Sequence, residues 1–529
     1  MEFLLVAINA KYIHSNPAVY SLQAYADRVY PEVTTITEYT INNHFDDILA
    51  GIYDHHPRAI GFSTYVWNIE IIKRLLNELP KLLPETDIWL GGPEVSYDFE
   101  GLLADHPCIT GIIIGEGETT FTRIVGAYVN APDAPDFSDI PGIAVQGTAH
   151  KKENQKESEK KICVDMDSLP FIYENGIDEF ENRIVYYESS RGCPFHCSYC
   201  LSSIDKTPRF RSLPFVFREL QFFLDQHVPQ VKFIDRTFNC DHDRTKAIWR
   251  FITEHDNNIT NFHFEIAADL LDEEEIEILQ SMRPGLIQLE IGVQSTNLDT
   301  LFAIHRKTSI EKIAKVMKKI TEKHNIITHL DLIAGLPYEG YRSFRNSFND
   351  VYAMQPTNLQ LGFLKVLKGA PIAEDVAKFS ILYNETAPYE VLQTRWLRFD
   401  EIQELKRISE MVEQYYNSSQ FTKALPYLLK AFESPFDLFE ALADYYKEKG
   451  YFVKTPARSK KYEILIGFTN EVTTLNCEEI LEALTMDYYL RENPKSKPDF
   501  VKNVPTKELF NFMYRDPLTG NFTLNENEE

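Results

Sequence analysis

Over the first 125 or so residues, short apolar β-rich runs alternate with stretches of helical pattern: Phe3–Ile8 then Ala18–Tyr30, Ala59–Ser63 then Ile69–Leu83, Ile88–Gly91 then Tyr97–Asp105, and Gly111–Gly115 then Thr119–Tyr128. Near-continuous apolar strands separated by helices predict a parallel sheet covered on both faces, a doubly wound α/β domain of Rossmann-like class. Such sheets take ligands beyond the carboxyl ends of their strands.

The pattern breaks after this domain (1–135) into a Pro- and Asp-rich linker (136–180). A hairpin of Gly142–Gln146 with Lys161–Asp165 is expected there, around a solvated Lys/Glu-rich tip, His150 to Lys160. A second β/α series (181–380) follows, with strands expected at Ile184–Ser189, Val231–Asp235, His263–Ala267, Ile287–Gly292, Thr328–Ala334 and Gln360–Val366. Six such units suit an open, partial (β/α)6 barrel with its chemistry at the carboxyl ends of the strands. The remainder (381–529) reads as mostly helical. Ile402, Leu405, Ile408, Met411, Val412 and Tyr415 recur at 3–4 residue spacing, as one buried helix face does. The aromatics between Trp396 and Phe452 read as core by the same spacing, and Asn525–Glu529 as a frayed polar tail.

Composition narrows the function classes. The 529 residues suit about three domains at roughly 100–200 residues each, and 44% hydrophobic content supplies large cores. The 54 basic against 79 acidic residues leave a formal charge of −25, which repels a phosphate backbone; no local basic groove offsets it, so nucleic acid is disfavoured as a partner. Seven cysteines form no disulfide framework and point to a reducing, cytoplasmic setting. The amino-terminal Met-Glu-Phe-Leu-Leu-Val reads as a strand rather than a signal peptide. No run of about 18 uncharged apolar residues predicts a membrane span.

Three of the seven cysteines crowd into Arg191-Gly-Cys193-Pro-Phe-His-Cys197-Ser-Tyr-Cys200, directly after the first strand of the second series. Zinc is one reading, with His196 or Cys240 as the fourth ligand. Three thiolates on one short loop better suit an iron–sulfur cluster that keeps one iron open for another ligand.

This loop resembles the signature of the radical SAM superfamily, C-x3-C-x2-C with an aromatic, here Tyr199, before the third cysteine. The resemblance implies that Cys193, Cys197 and Cys200 bind a 4Fe-4S cluster whose fourth iron chelates S-adenosylmethionine. An electron from the cluster, delivered by a donor such as flavodoxin or ferredoxin, then releases a 5′-deoxyadenosyl radical inside a water-poor barrel. It further implies Glu265 for the ribose hydroxyls, Gln294 for the methionyl amine and Arg306 for the carboxylate, each chemically apt for its partner, with Ser295 beside Gln294 as a further cofactor-binding residue. Asp331-Leu-Ile-Ala-Gly335-Leu-Pro337 is similar to the family's later-strand motif beside the adenine. The second strand departs from the family: Phe233-Ile-Asp235 stands where many members carry Gly-Gly-Glu.

In the first domain, Ser63-Thr64, Gly91-Gly92-Pro93-Glu94 and Gly115-Glu116-Gly117-Glu118 punctuate successive strand ends, where glycines admit close approach of a flat ligand. No Gly-x-Gly-x-x-Gly opens a helix after the first strand, which disfavours a dinucleotide. The set resembles the cobalamin-binding domain of the cobalamin-dependent branch of the superfamily. That implies cobalamin on the strand ends. The Asp-x-His-x-x-Gly of His-ligating domains is degenerate: His14 is present, but Tyr12 and Pro17 replace the Asp and Gly, so cobalt ligation by water or by nothing is expected. The implied reaction is methyl transfer to an unactivated carbon of an organic substrate, a small molecule or a peptide. A cobalamin-dependent cyclisation or rearrangement, a cofactor sensor without turnover, and a tRNA-modifying enzyme are the alternatives. The suite of Glu265, Gln294 and Arg306 argues against the sensor, and the acidic balance against tRNA.

Overall fold

In the computed structural model the described residues are 2–147, 163–174, 176–491 and 500–501, with the backbone alone of 513–515 and 522–524. The chain divides into two compact units: Met1–Arg236 with Lys365–Asp375 and Tyr383–Glu390, and Thr237–Leu364 with Val376–Leu382 and Val391–Glu529.

The first unit opens with the doubly wound domain: β1 (Phe3–Asn9), α1 (Pro17–Ala26), β2 (Thr34–Thr40), α2 (Phe45–Asp54), β3 (Ala59–Ser63), α3 (Ile69–Leu82), β4 (Asp87–Gly91), α4 (Phe99–Asp105), β5 (Ile109–Ile113), α5 (Glu118–Asn130) and β6 (Ile143–Val145). The sheet runs β2-β1-β3-β4-β5-β6, parallel except for β6. All seven residues of β1 are buried. Leu4, Val6 and Ile8 pack with Ile48 and Ile52 of α2 and Ile72, Leu75 and Leu79 of α3. Phe3, Leu5 and Ala7 face the other way, onto Val19 of α1 and Phe121, Ile124 and Val125 of α5. The expected two-sided cover is present.

Two elements escape the hydrophobic pattern. β2 is Thr-Thr-Ile-Thr-Glu-Tyr-Thr, with only Thr34 buried, because an edge strand is half covered and need not be apolar. With it goes α2. The expected hairpin in the linker is corrected by the structure: β6 pairs antiparallel with β5, Gly111 opposite Val145, since β5 offers an open edge. Cys163–Asp165 is irregular. Lys161 and Ile162, like the His150–Lys160 tip and the Asn525–Glu529 tail, lie outside the described residues.

The first unit also holds β7 (Val185–Tyr187), β8 (Ser190–Arg191), β9 (Arg209–Phe210), α6 (Leu213–Asp225) and β10 (Gln230–Phe233). β7 and β10 are parallel, and β8 and β9 antiparallel.

The second unit continues the β/α series with α7 (His242–Glu254), β11 (Asn261–Ile266), α8 (Glu273–Ser281), β12 (Ile287–Gln294), α9 (Leu298–Ala303), α10 (Ile310–Thr321), β13 (Ile327–Ala334), α11 (Tyr341–Tyr352) and β14 (Asn358–Phe363). Strands β11 to β14 pair in order, all parallel. All six expected strands of the series therefore occur, β11 and β14 each beginning two residues earlier than the pattern indicates. Burial here alternates: Ile287, Leu289, Ile291 and Val293 of β12, and Thr328, Leu330, Leu332 and Ala334 of β13, are buried, and their neighbours in each strand are not. The other face is a polar row in which Glu265, Glu290 and His329 stand in register. There the His263 ring meets Glu290 Oε2 at 3.0 Å and stacks on His329.

The carboxyl-terminal helices follow, among them Phe399–Met411, Pro435–Glu448, Arg458–Val472 and Cys477–Arg491. All six residues of the 3–4 spaced face, Ile402 to Tyr415, are buried, the last two on a π-helical turn. Tyr415, Phe421, Phe436, Phe439, Tyr445 and Tyr446 are core, as their spacing indicates, whereas Trp396, Tyr416, Tyr427, Phe432 and Phe452 are only half-buried. Among the described residues no helix is long and apolar enough to cross a membrane.

Leu330→Ala, at a fully buried position of β13, is expected to cost about 2–5 kcal/mol in urea unfolding. Gln360→Ala on the exposed face of β14 is expected to stay within about 0.5 kcal/mol of the parent.

Candidate cofactor sites

At the carboxyl ends of β3, β4 and β5 a cavity of about 370 Å³ runs inward between the sheet and helices α1 and α5. Its depth is apolar: Phe3, Leu5, Leu22, Trp89 and Phe121. Its rim is polar and carries Ser63, Gly91, Gly92 and the whole Gly115–Glu118 turn. Gly92 has φ +115, and a Cβ there would lie 2.5 Å from the Thr64 carbonyl oxygen, so only glycine makes this turn. Gly115, at φ +81, has open space where its Cβ would stand.

Side chains behind the rim fix it. Asn68 donates to the Ile8 and Ser63 carbonyls and accepts from the Tyr65 N–H at 2.8 Å. Asn16 donates to Ser63 Oγ at 2.8 Å. Two of the sequence-predicted residues do not line the cavity. Thr64 is fully buried and donates to the Gly91 carbonyl at 2.6 Å, and Glu94 accepts from the Tyr389 hydroxyl. His14 is also absent from the lining; its Nδ1 lies 2.5 Å from the Tyr186 hydroxyl. Burial first, then the Lys11 and Lys232 charges, hold its pKa below the usual histidine value, so the ring is neutral near pH 7.

Tyr65, Glu188 and Arg191 line the cavity as well, and sequence reasoning did not single them out. Tyr65 stacks on Trp67 with centroids 4.3 Å apart. Arg191 Nε meets both Glu188 oxygens at 2.9 Å and its Nη2 meets Glu118 Oε1 at 2.5 Å. Burial raises the Glu188 pKa against the pull of Arg191. At Glu118 burial pushes the same way, but the Arg191 guanidinium wins and holds the carboxyl below its ordinary value.

Arg191 leads directly into the cysteine loop. Cys193 and Cys197 are buried, Cys200 is half-buried, and none of the seven cysteines is in a disulfide. The Cys193 N–H donates to the Asp205 carbonyl at 2.8 Å and the Cys200 N–H to the Cys197 carbonyl at 3.2 Å. Gly192 has φ +92 and sits where a Cβ would press on the Thr207 carbonyl oxygen at 2.6 Å. Tyr199 is half-buried and His196 exposed. Among the described residues the one group with ligand atoms all within 4.8 Å of one another is His242, Asp272 and Glu275; Asp272 and Glu275 form the capping box of α8, and His242 Nδ1 lies 3.0 Å from Glu275 Oε2. Cys193, Cys197 and Cys200 stand on one short loop, a set of thiol donors that suits an iron–sulfur cluster.

In the second unit the end of β12 is irregular. The register shifts between Gly292 and Gln294, and Gln294 has φ +72. Its Oε1 is buried with no hydrogen-bond partner among the described residues. Arg306 Nη2 donates to the Gly292 carbonyl, which brings Gln294, Ser295 and Arg306 together at one strand end. Glu265 lies on the adjacent strand β11, with Asp331 beside Gly292 on β13. Ser295 Oγ donates to Glu339 Oε1 at 2.8 Å and accepts from the Asn297 N–H at 3.0 Å. Ser347 donates to the same Glu339 oxygen at 2.7 Å. Asp235, the weak family match, accepts from the Ser189 N–H and from the Ser189 and Ser190 hydroxyls.

The family described as B12 binding domain matches residues 4–125, the Radical SAM superfamily 187–351, and DUF4080, described as a protein of unknown function, 377–519. The chain is 26% identical over 344 residues to the 2-(S-pantetheinyl)-carbapenam-3-carboxylate methyltransferase of Streptantibioticus cattleyicolor, covering 62% of this chain and 49% of that protein. It is 24% identical to the cobalamin-dependent radical SAM methyltransferase TokK of Streptomyces tokunonensis, over 60% of this chain and 48% of the relative. A Rubrivivax gelatinosus anaerobic magnesium-protoporphyrin IX monomethyl ester cyclase is 22% identical over 60% and 58%. The chain thus spans about half the length of the first two relatives. In fold it is similar to the cobalamin-dependent S-adenosylmethionine radical enzyme OxsB with aqua-cobalamin and S-adenosylmethionine bound (TM-score 0.59, 15% identity, 92% of this chain, 78% of that one). It is also similar in fold to the radical S-adenosylmethionine methyltransferase TsrM from Kitasatospora setae with cobalamin and a [4Fe-4S] cluster bound (TM-score 0.56, 17% identity, 72% of this chain, 78% of that one).

Burial pushes the Glu339 carboxyl up to about 7, against the bonds from Ser347, Ser295 and Ser343. A carboxyl raised in the folded state stabilises most below its unfolded value and loses that contribution as pH climbs through the folded one. The thermal midpoint is therefore expected to fall between about pH 4.5 and pH 7 relative to Glu339→Gln, whose own profile is flatter across that window in differential scanning calorimetry.

Proposed function

We propose that the chain, which carries a B12 binding domain and a Radical SAM domain, is a cobalamin-dependent radical SAM enzyme that transfers a methyl group to an unactivated carbon of a small organic or peptide substrate. The observation that carries this reading is the pairing, in one unit, of the deep strand-end cavity with the three-cysteine loop that follows Arg191. When bound, the cluster and cobalamin supply, respectively, the electron that cleaves S-adenosylmethionine and the carrier for the methyl group.

The cavity suits the nucleotide tail of a cobalamin whose ring would lie over the rim. Its apolar depth suits a heterocyclic tail, and its glycine-rich rim lets a flat ring approach the backbone closely. Ser63, Gly91, Gly92 and the Gly115–Glu118 turn would hold it there, and Glu118 Oε2, buried with no hydrogen-bond partner among the described residues, is placed to accept from an amide of the cofactor. Thr64 and Glu94 would act behind the rim by shaping its turns. Cys193, Cys197 and Cys200 would hold the cluster, with Tyr199 between the last two. In the second unit the unsatisfied Gln294 carbonyl would accept from the methionyl amine of S-adenosylmethionine, and the Glu265 carboxylate and Arg306 guanidinium would take its ribose hydroxyls and carboxylate. Ser295 would keep Gln294 in place through Glu339.

The charge of −25 supports a substrate other than nucleic acid. A flavodoxin or ferredoxin is the expected electron donor, in a cytoplasmic setting. The cyclase relative keeps ring closure as a second reading within the same cofactor set.

Anaerobic reconstitution with iron, sulfide and hydroxocobalamin, then addition of reductant and S-adenosylmethionine, is expected to yield 5′-deoxyadenosine. A Cys193→Ala/Cys197→Ala/Cys200→Ala variant is expected to form none while keeping cobalamin through gel filtration. Equal 5′-deoxyadenosine from both proteins, or loss of cobalamin from the parent, counts against the reading.

A further inference from the structure

The residues between the cobalamin cavity and the cysteine loop form one closed set of bonds. Arg191 lies two positions before Cys193, and its side chain is 16% exposed. It engages three carboxylates: Glu188 through Nε, Glu118 through Nη2, and Glu116, 3.4 Å from Nη1. All four of these residues line the cavity. Glu116 also pairs with Arg209, which lies on β9 directly opposite Arg191 of β8. Arg209 reaches on to Asp205 Oδ2 at 3.3 Å, and the Asp205 carbonyl receives the Cys193 N–H. The rim that would meet one cofactor is thus bonded, through two arginines, to the backbone of the loop that would meet the other.

This arrangement exceeds what either site needs alone. A single carboxylate suffices to neutralise Arg191, and a backbone turn suffices to shape the loop. Three carboxylates on one planar guanidinium fix the direction of the side chain as well as its charge, which a lysine cannot do. The side chains of Arg191, Glu116 and Glu118 are 16%, 19% and 5% exposed, so salt screens their pairing weakly.

Building on the cofactor reading above, we propose that Arg191 is a positioning residue that couples the two cofactor sites: cobalamin against the Glu116–Glu118 rim steadies the cysteine loop, and an assembled cluster steadies the rim. Coupling of this kind is reciprocal, so the factor by which the cluster tightens cobalamin equals the factor by which cobalamin tightens the cluster.

The test is a titration of the full chain with hydroxocobalamin under anaerobic conditions, followed by absorbance, before and after cluster assembly. The cluster-loaded parent is expected to bind cobalamin at least about fivefold more tightly than the cluster-free parent. In Arg191→Lys and in Arg209→Lys that ratio is expected to fall to about one, with iron and sulfide content unchanged. A ratio near one in the parent, or the parental ratio in both variants, overturns the coupling. Should the variants not fold, the parent alone decides: the electron paramagnetic resonance spectrum of its reduced cluster must change when cobalamin is added, and an unchanged spectrum overturns the coupling. A parent that takes up both cofactors with no coupling leaves the functional reading standing. A parent that takes up neither removes both.

Discussion

Parallel pairing imposes the constraint on which the rest depends. Strands that run the same way end on the same edge of their sheet, and the chain must leave each of them there by a turn whose backbone groups lack sheet partners. In the first unit those turns carry Ser63, Gly91-Gly92 and Gly115–Glu118. In the second, the corresponding edge carries Gln294 and Ser295 at the end of β12, next to Glu265 of β11. Chemistry concentrates where the sheet stops satisfying its own backbone, and the helices around each sheet serve to hold that edge still.

The two sheets meet the constraint with different side-chain patterns. β1 is buried on both faces and reads as one apolar run. β12 and β13 are buried on one face only; β12 reads as apolar–polar alternation, Ile-Gln-Leu-Glu-Ile-Gly-Val-Gln, which β13, Ile-Thr-His-Leu-Asp-Leu-Ile-Ala, follows only from His329 to Leu332. That alternation is the sequence-level mark of an inner face kept polar, and His263, Glu290 and His329 occupy it as a hydrogen-bonded and stacked layer.

Much of this was legible beforehand because strong periodicity and local motifs carry it: the doubly wound sheet, the six strands of the second series, the cysteine loop, and the buried face from Ile402 to Tyr415. What was not legible depends on residues distant in sequence. Glu188 and Arg191 reveal themselves only when Glu116 and Glu118, some 70 residues earlier in the chain, come within reach. Asn16 and Asn68 look like loop residues until they are seen pinning Ser63 and the β3 turn. Glu339 looks like part of a Pro-Tyr-Glu-Gly turn, yet it is a buried acceptor for serines from different elements, Ser295 and Ser347 among them. Polar contacts over long separations leave no period to find.

The polar edge strand β2 has a consequence of another kind. Sheet edges are where proteins most readily add a foreign strand and begin to aggregate. Glu38, at the middle of β2, is tied down by Asn9, Tyr20 and Arg183, and β6 caps the opposite edge of the sheet in the antiparallel sense. An ion-paired strand at one end and a short reversed strand at the other give this sheet two poor templates for further pairing. The same polarity that hid β2 from the hydrophobic pattern therefore protects a long parallel sheet, slow to assemble by nature, from recruiting strands of another chain while it folds.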